Sequence, residues 1–211
     1  MKLRTESNLA PTIRRLAKRW AGAGLLLPAF PLLAGGRPLE IEEVAKVSNV
    51  TVEKISQALD AARCERDGQG RLIDLYGLSL TPTLHRIEIG GKILFSCCAL
   101  WAHVIPRLLD ATVTVESIDP LRRELVRLSV SPNGVESVDP PGAAATVAIA
   151  TQQAIDDDVG SAFCCQVRHF VSRESAEEFA AARQTCHAVE LSELQEAAGQ
   201  LHGAIWSAVD A

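Results

Sequence analysis

The sequence predicts an α+β chain: a small N-terminal helical module of winged-helix type packed on a core of mixed or antiparallel sheet with flanking helices. Apolar residues recur at helical spacing through residues 11–62, whereas from His85 onward short β-branched runs alternate with turn signals. Capping-type sequences then return near the C terminus. The predicted boundary gives a module of residues 1–83 and a core of residues 84–211. With 211 residues, 47% of them apolar, the chain can bury one ordinary core and carry a small module beside it.

In the first helix, residues 11–20, Pro11 suits the first turn, and Ile13, Leu16, Ala17 and Trp20 share one face. Arg14, Arg15, Lys18 and Arg19 form the opposite face, read as a solvated surface. Ile41–Val47 and Thr51–Ala62 read as a second pair of helices joined by a turn at Ser48-Asn49, with Val44, Val47, Val52, Ile55 and Leu59 as their core. Asp67-Gly68-Gln69-Gly70 is a turn leading into a strand over Leu72–Leu80. A helix-turn-helix pattern invites DNA binding. However, Glu53, Lys54, Gln57 and Asp60 give its second helix a mixed-sign outer face, and the net charge is −5, so a structural role and no nucleic-acid partner are expected.

In the core, Gly90-Gly91 between His85–Ile89 and Lys92–Ser96 marks a hairpin. Cys97–Leu109 reads as a helix that Pro106 bends or ends. Thr112–Glu116, Leu125–Ser131 and Thr146–Ala150 are strand candidates, as is Ala162–Ser172, with Asn133-Gly134 and Pro140-Pro141-Gly142 as punctuation. Ser175-x-x-Glu178 and Ser192-x-x-Gln195 match capping boxes and predict two closing helices.

No secretory pattern opens the chain, and the apolar run Leu25–Ala34, interrupted by Pro28 and Pro31, is too short to span a membrane. A cytoplasmic setting with reduced thiols, and no membrane partner, is therefore expected.

The six cysteines include two vicinal pairs, Cys97-Cys98 and Cys164-Cys165, without the spacing of zinc ribbons or dithiol redox motifs. Soft-metal thiolate chemistry or a nucleophilic cysteine remains. Cys98 falls where a hairpin gives way to a helix, and unpaired N–H groups there favour a thiolate. On a strand, only one of Cys164 and Cys165 can face the same pocket, so two thiols from remote segments are expected to meet. Cys64 and Cys186 read as inert buried residues, and His85, His169, His187 and His202 lack metal-ligand spacing.

Three segments carry a family resemblance: Phe95-Ser96-Cys97-Cys98-Ala99-Leu100 with Pro106 downstream, Leu128-Ser129-Val130-Ser131-Pro132, and Ser161-Ala162-Phe163-Cys164-Cys165. In order and spacing over roughly residues 37–205, the chain resembles the organomercurial (alkylmercury) lyases. The resemblance implies an alkylmercury-lyase core. It also implies cleavage of a carbon–mercury bond by two cysteines, Cys98 and Cys164, with an acid protonating the carbon. It makes Cys98, Cys164 and Cys165 the mercury-contacting sulfurs. No resident cofactor is implied. Mercury(II) is the bound product, passed to free thiols or a mercuric reductase. The family's acid, an aspartate three residues after the first cysteine, is replaced here by Trp101, whose indole N–H is not acidic. Three readings stay open: another donor (His103, Cys97 or Asp156–Asp158) supplies the proton; the site captures thiophilic metal without turnover; or the scaffold serves another substrate, with Trp101 as a pocket wall.

Overall fold

A computed structural model describes residues 9–21 and 23–209. Helix α1 (Ala10–Ala21) buries Ile13, Leu16, Ala17 and Trp20, as their spacing requires. Its basic face is only half solvated. Arg15 donates to the Ala150 carbonyl at 2.9 Å and Arg19 to the Ala62 carbonyl at 3.1 Å, while Arg14 and Lys18 are exposed. The apolar run after it forms a 3₁₀ turn, Gly24–Ala29, and a short α2 (Phe30–Leu33) that bury Leu26, Leu27, Phe30 and Leu33. Among the described residues no helix is long and apolar enough to cross a membrane.

Helices α3 (Ile41–Val47) and α4 (Val52–Ala62) follow, and the Thr51 hydroxyl caps α4 by accepting from the Lys54 amide. Val44, Ile55 and Leu59 form the expected small core. Val47 and Val52 do not join it. They are the last and first residues of their helices, beside the connecting turn, and are exposed.

The predicted strand Leu72–Leu80 is broken into β1 (Asp74–Leu75) and β2 (Leu78–Ser79) around Tyr76-Gly77. Both turn residues have positive φ, 47° and 72°, as a two-residue hairpin of the primed type requires. Tyr76 is held in this unusual conformation by complete burial and by its hydroxyl, which donates to the Ala23 carbonyl at 2.6 Å. β3 (His85–Ile89) and β4 (Lys92–Ser96) form the expected Gly90-Gly91 hairpin. With β5 (Val113–Ile118), β6 (Leu125–Ser131) and β7 (Gly134–Asp139) they complete a seven-stranded antiparallel sheet in the order β1-β2-β4-β3-β5-β6-β7. α5 (Ala99–Leu109) packs beneath it, buried from Ala99 through Pro106. The helix absorbs Pro106 and runs on to Leu109.

The second half departs from the predicted strand Ala162–Ser172. Thr151 caps a helix, α6 (Gln152–Ala162), whose i,i+4 pairs Gln152–Asp156 and Gln153–Asp157 reinforce it. The second cysteine pair then lies in a 3₁₀ turn, Cys164–Gln166, with only His169–Phe170 extended as β9. β9 and β10 (Cys186–Val189) flank β8 (Ala144–Ala148) in a small antiparallel sheet.

The closing helices α7 (Arg173–Ala181) and α8 (Leu191–Val209) are present, but their caps sit earlier than the capping-box pattern suggests. Ser172 caps α7, and the Glu190 amide donates to Glu193 at the start of α8. Ser175 is instead buried and donates to Asp119 at 2.8 Å. The buried Asp119 carboxylate also accepts from the Leu121, Arg122 and Val171 amides, tying the end of β5 to β9 and α7.

Candidate active site

Two main-chain contacts bring the cysteine segments together. The Cys97 amide donates to the Gly77 carbonyl at 2.9 Å, fixing the exit of β4 against the β1–β2 turn. The Ala99 amide, first in α5, donates to the Val167 carbonyl at 3.0 Å, which seats the helix on the turn that carries Cys164. Cys98 is the N-terminal cap residue of α5. The sulfurs of Cys97, Cys98 and Cys164 consequently lie within 4.8 Å of one another, with Cys97 and Cys164 at 3.7 Å. Cys165 is exposed and outside this group. In a 3₁₀ turn adjacent side chains diverge by about 120°, so Cys164 points inward and its neighbour outward. The structure thus gathers three sulfurs, and the third is Cys97 rather than Cys165.

The three sulfurs divide their protons unequally. Burial alone would push Cys98 up, but hydrogen bonds from Cys164 and Cys97 outweigh it and hold Cys98 well below the usual thiol range. The Trp101 amide adds to this without closing a regular capping hydrogen bond. Cys97 carries a single proton, shared between Cys164 at 3.7 Å and Cys98, and these interactions together with burial raise it well above the ordinary value. Cys164 is lowered by the bond it accepts from Cys97, but its own bond to Cys98 and its burial carry it above the ordinary value. Cys98 is therefore the sulfur of the three most disposed to ionise, with two thiols as its neighbours.

A cavity of about 280 Å³ opens beside the sulfurs, with Cys97, Cys164, Trp101, Trp20, Gly77 and Asp74 on its walls. Cys98 is fully buried one sulfur deeper. Trp101 is 2% exposed, and its ring meets Trp20 edge-on at 5.6 Å between centroids. It lies so close over Gly77 that a Cβ there would sit 2.2 Å from its Cγ. In this position the indole forms a wall and has no proton to give.

His103 is placed elsewhere. Its Nδ1 meets Gln195 Oε1 at 2.6 Å and its Nε2 meets His169 Nε2 at 3.1 Å. The line continues from His169 through Ser117 to His85 and Arg168. One assignment satisfies every link: Arg168 donates to His85, His85 to Ser117, Ser117 to His169, His169 to His103, and His103 to Gln195. Burial lowers His103 to about 4, so both ring nitrogens of a neutral imidazole are committed. Of Asp156–Asp158, only Asp158 reaches the cavity, and Ser161 donates to both its oxygens and lowers it below the ordinary carboxyl value.

The family model described as alkylmercury lyase matches residues 78–204, and the one described as the helix-turn-helix domain of alkylmercury lyase matches residues 7–75. The chain belongs to the alkylmercury lyase family. An alkylmercury lyase of Staphylococcus epidermidis is 36% identical over 74% of this chain and 70% of its own length. One of Pseudomonas putida is 31% identical over 85% of this chain and 82% of its own. The crystal structure of the mercury-bound form of MerB2 shares the fold, with a TM-score of 0.77 at 16% identity, covering 91% of this chain and 99% of that one. Membership makes the chain a lyase-type enzyme. Within this alkylmercury lyase family member, sequence reasoning did not point to Asp74, Trp20 or Gly77 as wall residues. Asp74 carries one available signal, an acidic residue inside an otherwise apolar strand run.

Proposed function

We propose that this enzyme cleaves the carbon–mercury bond of small organomercurials with Cys98 and Cys164, and that Cys97 acts as an auxiliary sulfur. The observation that carries this is the convergence of three sulfurs, two of them on the wall of one cavity and the third just behind it. Thiolates are soft donors and mercury(II) a soft acceptor. With metal–sulfur bonds of about 2.3 Å, opposed sulfurs stand about 4.6 Å apart and three in a plane about 4.0 Å apart. Separations within 4.8 Å suit either arrangement.

The substrate meets Cys164 and Cys97 at the cavity wall and the Cys98 thiolate one step deeper. Sulfur binding displaces the Cys164 proton and raises electron density on the mercury-bound carbon. The carbon–mercury bond then breaks with its electron pair going to carbon, which takes a proton and leaves as hydrocarbon. Mercury remains on two sulfurs and leaves on free thiols or to a mercuric reductase. Trp101 and Trp20 give the organic group an apolar wall and keep water out.

The test is a single-turnover assay with phenylmercury and reduced protein, counting bound mercury and released benzene. The wild type is expected to release benzene, and Cys98→Ser and Cys164→Ser each to release none. Stoichiometric capture with no benzene from the wild type would replace this reading with metal sequestration, which the tryptophan at the family's acid position favours. In that case Trp101→Asp is expected to gain release.

A further inference from the structure

We propose that Asp74 is the acid that protonates the departing carbon. This rests on the carbon–mercury lyase reading above and supplies the proton source that Trp101 cannot. Asp74 opens β1 and shares the cavity wall with Cys97, Cys164, Gly77 and Trp101. A cavity of about 280 Å³ is about 8 Å across if treated as a sphere, so a small ligand held on the sulfurs lies within a few ångströms of the other wall residues.

The Asp74 carboxyl is anchored on the wall through Oδ1, which accepts from the Glu65 amide. The competing wall carboxyls are differently placed. Both oxygens of Asp158 are engaged by Ser161, and the Glu65 side chain is exposed to solvent. Burial raises the Asp74 carboxyl to about 7, against the lowering effect of the Glu65 amide and with help from the Glu65 charge. A substantial protonated fraction therefore exists at neutral pH, which is what a general acid requires.

The proton balance closes within the cavity. The breaking carbon–mercury bond leaves its electron pair on carbon. That pair takes the Asp74 proton, a C–H bond forms, and a carboxylate remains. That proton is the one mercury displaced from the Cys164 thiol, taken up by the Asp74 carboxylate before the bond breaks, so the cycle begins and ends with the carboxylate.

The experiment compares wild type, Asp74→Asn, Asp74→Ser and Asp74→Glu in single turnovers with phenylmercury, reading captured mercury and released benzene separately. The two neutral variants are expected to capture one mercury per chain as the wild type does, with benzene release slowed about 100-fold or more. Asp74→Glu is expected to recover a measurable part of the rate. Wild-type release from either neutral variant overturns the Asp74 assignment and leaves the lyase reading standing. A loss of capture that parallels the loss of release marks Asp74 as structural and overturns it too. A wild type that captures mercury but releases no benzene overturns both.

Discussion

Gly77→Ala is the sharpest probe of how the cavity is built. The position has φ +72°, and an added Cβ would meet three Trp101 side-chain carbons at 2.2, 2.5 and 2.6 Å. Carbon–carbon contacts are comfortable at about 3.5–4.0 Å, so the indole must retreat by more than about 1 Å. Trp101 is wedged against Trp20 and Tyr76 and has little room to move. The left-handed backbone costs an L-residue about 1–2 kcal/mol. Overpacking a buried ring adds about 1–3 kcal/mol, for a total of about 2–5 kcal/mol. Urea denaturation is expected to show a lower midpoint at unchanged slope. Melting should fall by roughly 4–20 °C, at 2–4 °C per kcal/mol for a chain of this size. The decisive measurement is a double-mutant cycle with Trp101→Ala. On that background only the backbone cost, about 1–2 kcal/mol, should remain. Equal losses from Gly77→Ala in both backgrounds would refute the contact.

Other perturbations have defined outcomes. Asp74→Asn is expected to stabilise the protein at pH 8 but not at pH 4. The folded acid is raised from 3.8 to about 7, so the unfolded chain loses its proton first and wild-type stability falls as pH rises between those values. Three units at about 1.4 kcal/mol each set a ceiling of about 4 kcal/mol, which residual solvent access reduces to about 1–3 kcal/mol. Conversely, His85 and His103 are lowered by burial from 6.5 to about 3 and about 4. Their contribution is complete above pH 6.5 and is lost as pH falls through those lowered values, so urea midpoints should decline steadily below pH 6.5, and less steeply in His103→Asn. Cys165 is the exposed thiol and is expected to react first with an aromatic disulfide reagent. Cys165→Ser should leave mercury capture and hydrocarbon release within about twofold of wild type, as expected for a surface change.

The frame of the fold was legible because its signals are local. Ile13, Leu16 and Trp20 repeat at helical spacing, Thr51 caps its helix, and Gly90-Gly91 supplies two left-handed residues where the hairpin needs them. The exposure of Val47 and Val52 was not legible, because it depends on how two helices meet. Ala162–Ser172 reads as a strand because Phe163, Val167, Phe170 and Val171 look β-prone, whereas Thr151 and the Gln–Asp pairs signal the helix that runs into it.

At the site, Cys98 is marked by its place where a hairpin gives way to a helix and Cys164 by the family resemblance, and their sulfurs do lie close together. Cys97 as the third sulfur follows from the register of β4 against the Gly77 turn, a long-range fact. Asp74 stands out locally only as an acid in an apolar run, and it takes tertiary packing to turn a residue beside a hairpin into part of a cavity wall.

The Ala99–Val167 main-chain clasp has a further consequence. It belongs to the peptide backbone, so among replacements at position 99 only proline, which lacks the N–H, deletes it, and other side chains leave the two sulfur-bearing stretches joined. Positions 97, 98, 101 and 164 thereby become interchangeable fittings on a permanent bracket. Substitutions at these fittings can therefore change the chemistry of the site while the two stretches keep their mutual register.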